Sequence, residues 1–176
     1  MRLTTFTDYT LRTLIYLAVR PDSVVTISDI AGAYGISANH LMKVVHQLAL
    51  TGDIATTRGQ HGGMRLARSP DVINIGDVVR RTEPDLQLVA CLGAARHCVI
   101  EEGCVLRHAL GAALQAFLAV LDGYTLTDLV APRQTLAGLL GVDLPDEQRS
   151  MRPNRRMAPR RAARPSCRRQ PQGATP

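Results

Sequence analysis

Leu11, Leu14, Ile15 and Ala18 form one apolar stripe at helical spacing within residues 7–19, and Pro21 stops it. Thr26 is placed to N-cap a second, short helix, Ile27–Tyr34, which Gly35 ends. Ser37 or its neighbour caps a third helix that runs to about Leu50. Its positions Leu41, Val44, Val45 and Leu48 share one face, and Asn39, His40, Lys43, His46 and Gln47 share the other. Two short helices joined by a tight Gly-containing turn predict a helix-turn-helix. Residues 53–57 read as a strand, 58–63 as a turn and 64–67 as the return strand. A hairpin directly after a helix-turn-helix makes a winged helix. Gly59, Gly62 and Gly63 at its tip suit positive φ and close backbone approach. Residues 75–81 read as a further helix, capped near Asn74.

Residues 84–103 are irregular. From Gly103 or Cys104 a long helix runs to about Leu121, with the stripe Leu106, Leu110, Ala113, Leu114, Phe117, Leu118 and Leu121. Frequent Ala and Gly beside that stripe let a partner helix approach closely. Gly123 ends the helix, and Pro132 divides two short ones at 125–130 and 135–140. Residues 148–176 have no periodicity and are rich in Arg, Pro, Ala and Gln, which predicts disorder. The expected fold is mainly α with a small β-hairpin wing. It divides into a winged helix-turn-helix DNA-binding domain (1–82), a cysteine loop (83–104), a dimerisation helix with short C-terminal helices (104–145) and an Arg/Pro-rich tail (146–176).

Composition changes this picture in one respect. The 176 residues carry 21 Lys+Arg against 15 Asp+Glu, a net of +6. Nine of those basic residues, all Arg, lie from Arg149 onward with no acid among them. That leaves twelve basic and fifteen acidic residues in 1–148, a net of −3. Nucleic-acid binding by the folded part must therefore rest on a local patch. The N-terminus has no charged-then-apolar signal pattern, and the longest apolar stretch, 109–121, is too short to span a bilayer. A soluble cytoplasmic protein is expected.

Residues 36–68 supply the patch: Lys43, Arg58, Arg65 and Arg68 stand against one acid, Asp53, with three His besides. A helix in the major groove offers its N-terminal side chains to base edges. Here those are Ser37, Ala38, Asn39 and His40, with Lys43 one turn later. Arg58 and Arg65, with Gln60 and His61 between them, flank the wing tip, within reach of phosphates or a narrow minor groove. Thr26 and Ser28, at the start of the preceding helix, complete the candidate set for DNA.

The four cysteines are Cys91, Cys98, Cys104 and Cys167, and three of them fall within 14 residues. In a reducing compartment such a group suggests a metal or redox site before a disulfide framework. The spacing Cys-x6-Cys-x5-Cys is not that of common zinc sites, whose paired ligands lie two to four residues apart. Wide gaps on a Gly/Ala-containing loop suit an iron–sulfur cluster. Cys104, at a helix N-terminus, is placed to favour its thiolate. Three thiols leave a fourth ligand to find, from among His97, His108, Cys167 or a carboxylate. No Cys-x-x-Cys and no Cys–His–Asp arrangement supports a thiol enzyme.

Several segments together carry a family resemblance: 1–9 with Leu11, Arg12 and 14–18; Tyr34 to Leu41; Arg58 to Leu66; Ile75 to Arg80; the three cysteines; and Leu121 to Val130. Over about residues 1–140 the chain resembles the iron–sulfur winged-helix transcription regulators (the IscR/RirA/NsrR family), and most closely their nitric-oxide-sensing repressors. The resemblance implies a homodimer with crossed long helices. It implies an iron–sulfur cluster, [4Fe–4S] before [2Fe–2S], on Cys91, Cys98 and Cys104. It also implies a fourth ligand from a carboxylate near the start of the other subunit's first helix, the place Asp8 occupies. Where some members have a ligating His three residues after the last Cys, this chain has Arg107, which cannot ligate. The function so implied is repression from palindromic operator DNA while the cluster is intact, and release when nitric oxide reacts with it. An iron or cluster-status regulator of the same family, or a zinc-containing DNA-binding protein, are the alternatives.

Overall fold

The computed structural model describes residues 2–59, 62–93 and 98–144. The Arg/Pro-rich tail, with the disorder expected of it, lies outside the described residues. The helices are α1 (Thr5–Val19), α2 (Ile27–Tyr34), α3 (Ala38–Leu50), α4 (Ile75–Thr82), α5 (Val105–Asp122), α6 (Leu126–Leu129) and α7 (Arg133–Leu139). Strands β1 (Ile54–Thr57) and β2 (Gly63–Leu66) form the wing, and single 3-10 turns lie at Pro70–Val72, Ala90–Leu92 and Glu101–Gly103.

Local chemistry accounts for the boundaries. Thr4 caps α1 by accepting the Thr7 N–H. Thr26 and Asp29 form a reciprocal capping box at α2, and Gly35 closes that helix in the left-handed conformation at φ 63°. Asn74 caps α4 by accepting the Asp77 N–H. β1 and β2 pair antiparallel from Ile54 opposite Leu66 to Thr57 opposite Gly63. The wing is anchored to the body where Val25 and Met64 exchange backbone hydrogen bonds at 3.0 and 2.7 Å. A side chain at Gly63 would run into Val24 and the Val25 carbonyl, so that close approach requires glycine.

The core gathers Leu14, Leu17, Val19, Val25, Ile30, Leu41, Val44, Ile73 and Val78, all essentially sealed from solvent. It is a Leu/Val/Ile core, as a chain with few aromatics requires. The C-terminal elements return to it: Leu126 is fully buried, and Arg133 Nε donates to the carbonyl of Val19 at 3.1 Å.

α5 differs from this pattern. Leu118 is its one fully buried residue, while Val105, Leu106 and Val120 are 79%, 65% and 62% exposed. The residues turned toward the body are Arg107, Leu110, Gly111, Leu114, Phe117, Leu118 and Leu121. Of the apolar stripe, Leu110, Leu114, Phe117, Leu118 and Leu121 face the body of their own chain, while Leu106 and Ala113 face outward. At 18 residues and mean hydropathy 1.3, α5 is also longer than the 109–121 stretch, long and apolar enough by composition alone to cross a bilayer. Both ends are nonetheless tied to the body. Arg107 Nε donates to the Cys91 carbonyl at 3.1 Å, and Asp122 takes a two-pronged ion pair from Arg80 at 2.6 Å on each arm.

Candidate DNA interface and thiol centre

α3 is a two-faced helix. Leu41, Val44, Val45 and Leu48 are buried, which leaves Ser37, Ala38, Asn39, His40, Lys43, His46 and Gln47 exposed on one continuous surface. Ser37 occupies the N-cap position, yet its hydroxyl makes no cap hydrogen bond, so it projects with its hydrogen-bonding capacity free for another acceptor or donor. Arg58 and Arg65 are exposed on the hairpin, and Ser28 is exposed on α2. Thr26 is exposed too, but its hydroxyl accepts the Asp29 N–H at 3.2 Å, so its first role is structural. Gln60 and His61 lie outside the described residues. A helix with polar N-terminal side chains and a hairpin bearing two arginines is the geometry of groove reading flanked by phosphate contact.

One part of the expected patch is corrected. Asp53, the one acid of the basic segment, has a wholly buried side chain. It accepts from Thr51 Oγ1 at 2.7 Å and pairs with Arg81 at 2.6 Å and Arg68 at 3.4 Å. Arg68 also donates to the Val72 carbonyl at 3.1 Å. Arg68 is thus committed to holding the wing to the end of α3 and to α4, and the patch rests on Lys43, Arg58 and Arg65. A buried carboxylate is retained only when its charge is met, and two guanidiniums meet this one. A Thr-Gly-Asp run at a helix end with arginines 15 and 28 residues on was the available signal.

The start of α1 connects to both halves. Thr4 donates from its backbone and hydroxyl to Glu83 at 2.8 and 3.1 Å, and Thr7 donates to Thr82 at 3.0 Å. This clamps α1 to the end of α4, where the thiol loop begins. Asp8, one residue on, pairs with Arg12 Nε at 3.0 Å, and Arg12 lies over the Tyr34 ring 5.6 Å from its centroid. Tyr9 meets His40 of α3, ring centroids 6.2 Å apart, beside a cleft of about 260 Å³ lined by Thr5, Phe6, Tyr9, His40, Lys43 and Val44.

Cys91 sits half-buried in the 3-10 turn at Ala90–Leu92, Cys98 is exposed, and Cys104 is the half-buried N-cap of α5 with no cap hydrogen bond from its side chain. All three are free thiols. Cys98 shares an open cleft with Glu102, Arg107 and His108. His97 and Cys167 lie outside the described residues. Among the described residues no three His, Cys, Asp or Glu side chains converge as ligands of a single ion. The donor set therefore fits an iron–sulfur group in kind, three unencumbered soft ligands on one loop and helix cap, whereas a compact one-ion site is not built within one subunit. Sequence reasoning treats Arg107 only as a residue that cannot ligate. Its bond to the Cys91 carbonyl makes it the tether between the loop and α5.

Residues 3–132 match the model of Rrf2, described as iron-dependent transcriptional regulators. The chain belongs to the Rrf2 family. It is 48% identical over 142 residues to the HTH-type transcriptional regulator NsrR of Bacillus licheniformis, covering 80% of this chain and 99% of that protein. It is 51% identical over 142 residues to NsrR of Bacillus subtilis, covering 80% and 97%. Among solved structures it resembles the B. subtilis global cysteine regulator CymR, with TM-score 0.62, 26% identity, and 74% and 97% of the two chains covered. It also resembles IscR of T. potens, with TM-score 0.60, 25% identity, and 75% and 88% covered. These Rrf2 relatives fix the mainly helical, winged-helix reading and a regulatory, non-enzymatic role in transcription.

Proposed function

We propose that this Rrf2 protein is a nitric-oxide-responsive repressor, a cytoplasmic homodimer that holds palindromic operator DNA while an iron–sulfur cluster is in place. The observation that carries this reading is the identity of about one residue in two with NsrR regulators along 97–99% of their length. Cys91, Cys98 and Cys104 hold the cluster, with Asp8 of the second copy as fourth ligand. When bound, the group supplies an iron centre open to a small neutral molecule, made labile by the hard carboxylate among soft thiolates. The exposed apolar edge of α5 supports the dimer, since a large unpartnered apolar strip marks an interaction surface.

The remaining steps belong to this chain's own residues. Asp8 has a second partner, Arg12, within its own helix. A carboxylate of Asp8 not engaged as a ligand would be held by Arg12, which lies over the Tyr34 ring at the end of α2. Tyr9, adjacent to Asp8, touches His40 at the start of the reading helix. A shift of α1 is thus transmitted to both helices of the helix-turn-helix. A dimer reads half-sites about 34 Å apart, so a small change in the spacing of two α3 helices costs affinity.

The test is protein purified without oxygen, its visible spectrum and iron and sulfide content recorded, then titrated with nitric oxide while DNA binding is followed. Coloured protein that loses both its spectrum and its DNA on titration is the expected result. Asp8→Ala with an unchanged spectrum and unchanged response would overturn the role of Asp8. Loss of DNA binding on iron chelation but not on nitric oxide would instead identify an iron-status regulator, which the family description favours as second reading. Colourless protein with stoichiometric zinc would replace the cluster.

A further inference from the structure

Met42 is absent from the reading set drawn above, yet it stands within it. α3 buries Leu41, Val44, Val45 and Leu48 and turns its other side chains outward. From Asn39 to Gln47 the outward ones are all polar except Met42, which is 52% exposed. Residues three and four apart are neighbours on a helix surface. Met42 is three residues after Asn39 and four before His46, so it lies between them. It is four residues after Ala38, with which it makes a short apolar edge on the polar surface. Leu50, the other exposed large apolar residue of α3, lies about two turns farther on, at the helix C-terminus. That end is remote from the N-terminal side chains that reach base edges. A single apolar side chain on a surface needs no partner in general. One enclosed by the groups that face DNA is desolvated whenever they are, and its energy then depends on what it meets.

Base edges in the major groove present hydrogen-bonding groups and one methyl group, on C5 of thymine. A thioether chain laid on a donor or acceptor leaves that group buried and unpaired, which costs affinity, whereas laid on the methyl it gains. Its neighbour Asn39 has the amide that matches adenine N6 and N7 with two bonds. Every A·T pair carries the thymine methyl in the same groove as that adenine edge. Asn39 on adenine therefore brings a methyl group, of that pair or the next, beside Met42. We infer that Met42 is a specificity-determining residue that packs on the C5-methyl of one thymine in each half-site, next to the base Asn39 reads. Its unbranched, flexible side chain adapts to the methyl without a single required rotamer. The inference rests on the DNA-binding reading above and adds to it a base that is read without a hydrogen bond.

The test uses the full chain, purified without oxygen, and a duplex enriched on it by in-vitro selection. Thymines of that duplex are replaced by deoxyuridine in symmetric pairs, one pair at a time. Uracil keeps the base pair and its O4 acceptor and lacks only the methyl. At one such pair the unmodified protein loses about fourfold in affinity per half-site, the worth of one buried methyl group, and about sixteenfold for the pair. Met42→Ala, and Met42→Gln of similar shape, bind the thymine duplex more weakly and do not distinguish it from the uracil duplex. Met42→Leu keeps most of the discrimination. Equal thermal midpoints for the four proteins separate this effect from one of folding. A selected duplex without a methyl-sensitive thymine pair overturns the inference. So does a methyl effect of equal size in Met42→Ala and Met42→Gln, which assigns it to duplex shape or to another side chain. If the unmodified protein enriches no duplex under any cluster state, the DNA-binding reading itself fails, a result distinct from these.

Discussion

The two halves of this molecule are stabilised differently. The body formed by α1 to α4 and the wing is closed on itself: its core Leu, Val and Ile side chains are sealed, the N-termini of α1, α2 and α4 are capped by side chains, and the buried Asp53 is met by two arginines. The thiol loop and α5 are open, with free cysteines and an apolar helix edge turned to solvent. A reading head must hold its shape to present α3 in register, whereas a sensor must be able to change. The closed half is thus complete in one chain, whereas the open half leaves thiols and apolar surface that the proposed cluster and second copy would complete.

The largest expected effect separates them directly. Leu41→Ala or Leu14→Ala opens a cavity in the sealed core and costs about 3 kcal/mol or more, read as a shift in the urea midpoint that does not depend on protein concentration. Leu106→Ala in α5 removes a side chain that stands mostly in solvent in its own chain. In the proposed dimer its effect appears only through association, so its midpoint shift fades as the protein is diluted below the dimer dissociation constant. A concentration-independent loss of similar size from Leu106→Ala would abolish the contrast.

Next in size is Asp53→Ala. Removing the shared partner leaves Arg81 and Arg68 facing one another across the junction of α3, the wing and α4. We expect a loss of about 3 kcal/mol, with weakened DNA binding as the wing comes free. Asp53→Ala with an unchanged unfolding midpoint would show that the hub is ornamental.

The same contrast explains what is legible in the sequence. The bounds of α2 and the end of α3 follow from Thr26, Gly35 and the 3.6-residue stripe, because caps and stripes are local and the body obeys local rules. The pairing of Asp53 with Arg68 and Arg81 is not legible because the partners lie 15 and 28 residues away, and no periodicity encodes such a pair. Which part of the α5 stripe faces its own chain is not legible for another reason. A helix with apolar residues nearly all round has no single inward face until its partners are counted, and the chain alone does not state them. The thiols are legible as a donor set, but among the described residues they do not converge on a single ion.

A smaller effect tests the seam between the halves. A side chain at Gly76 of α4 would collide with the Asp122 carboxylate, which Arg80 holds in place. Gly76→Ala therefore costs about 1 kcal/mol through displacement of that pair. In an Asp122→Ala background only the flexible end of Arg80, 3.0 Å from the added methyl, is left to move, so the added cost falls. The coupling energy from this double-mutant cycle measures the seam. Purely additive losses would place the collision elsewhere.

The smallest effects lie in the pH dependence, where the halves respond at opposite ends of the scale. Burial raises the Tyr34 phenol above its ordinary 10.0, an effect the Arg12 guanidinium opposes. The unfolded chain then loses this proton first, so the stabilisation is complete below pH 10 and declines as pH rises beyond it. Asp122 is held below its ordinary 3.8 by its hydrogen bonds from Arg80, and Asp128 by the Thr125 backbone N–H and then its hydroxyl. For these carboxylates the folded state resists protonation. Their contribution is therefore present above about pH 4 and disappears as pH falls through the depressed values. In a series of thermal midpoints against pH, Tyr34→Phe flattens only the alkaline limb, while Asp122→Asn or Asp128→Asn flattens only the acid limb. Because both carboxylates are exposed to water, 0.5 M salt shrinks the acid-limb difference but leaves the Tyr34 limb nearly intact, since its main cause is burial and not charge. If salt erased the alkaline limb as well, Arg12 rather than desolvation would govern Tyr34, and the closed half would owe more to surface charge than its sealed core implies.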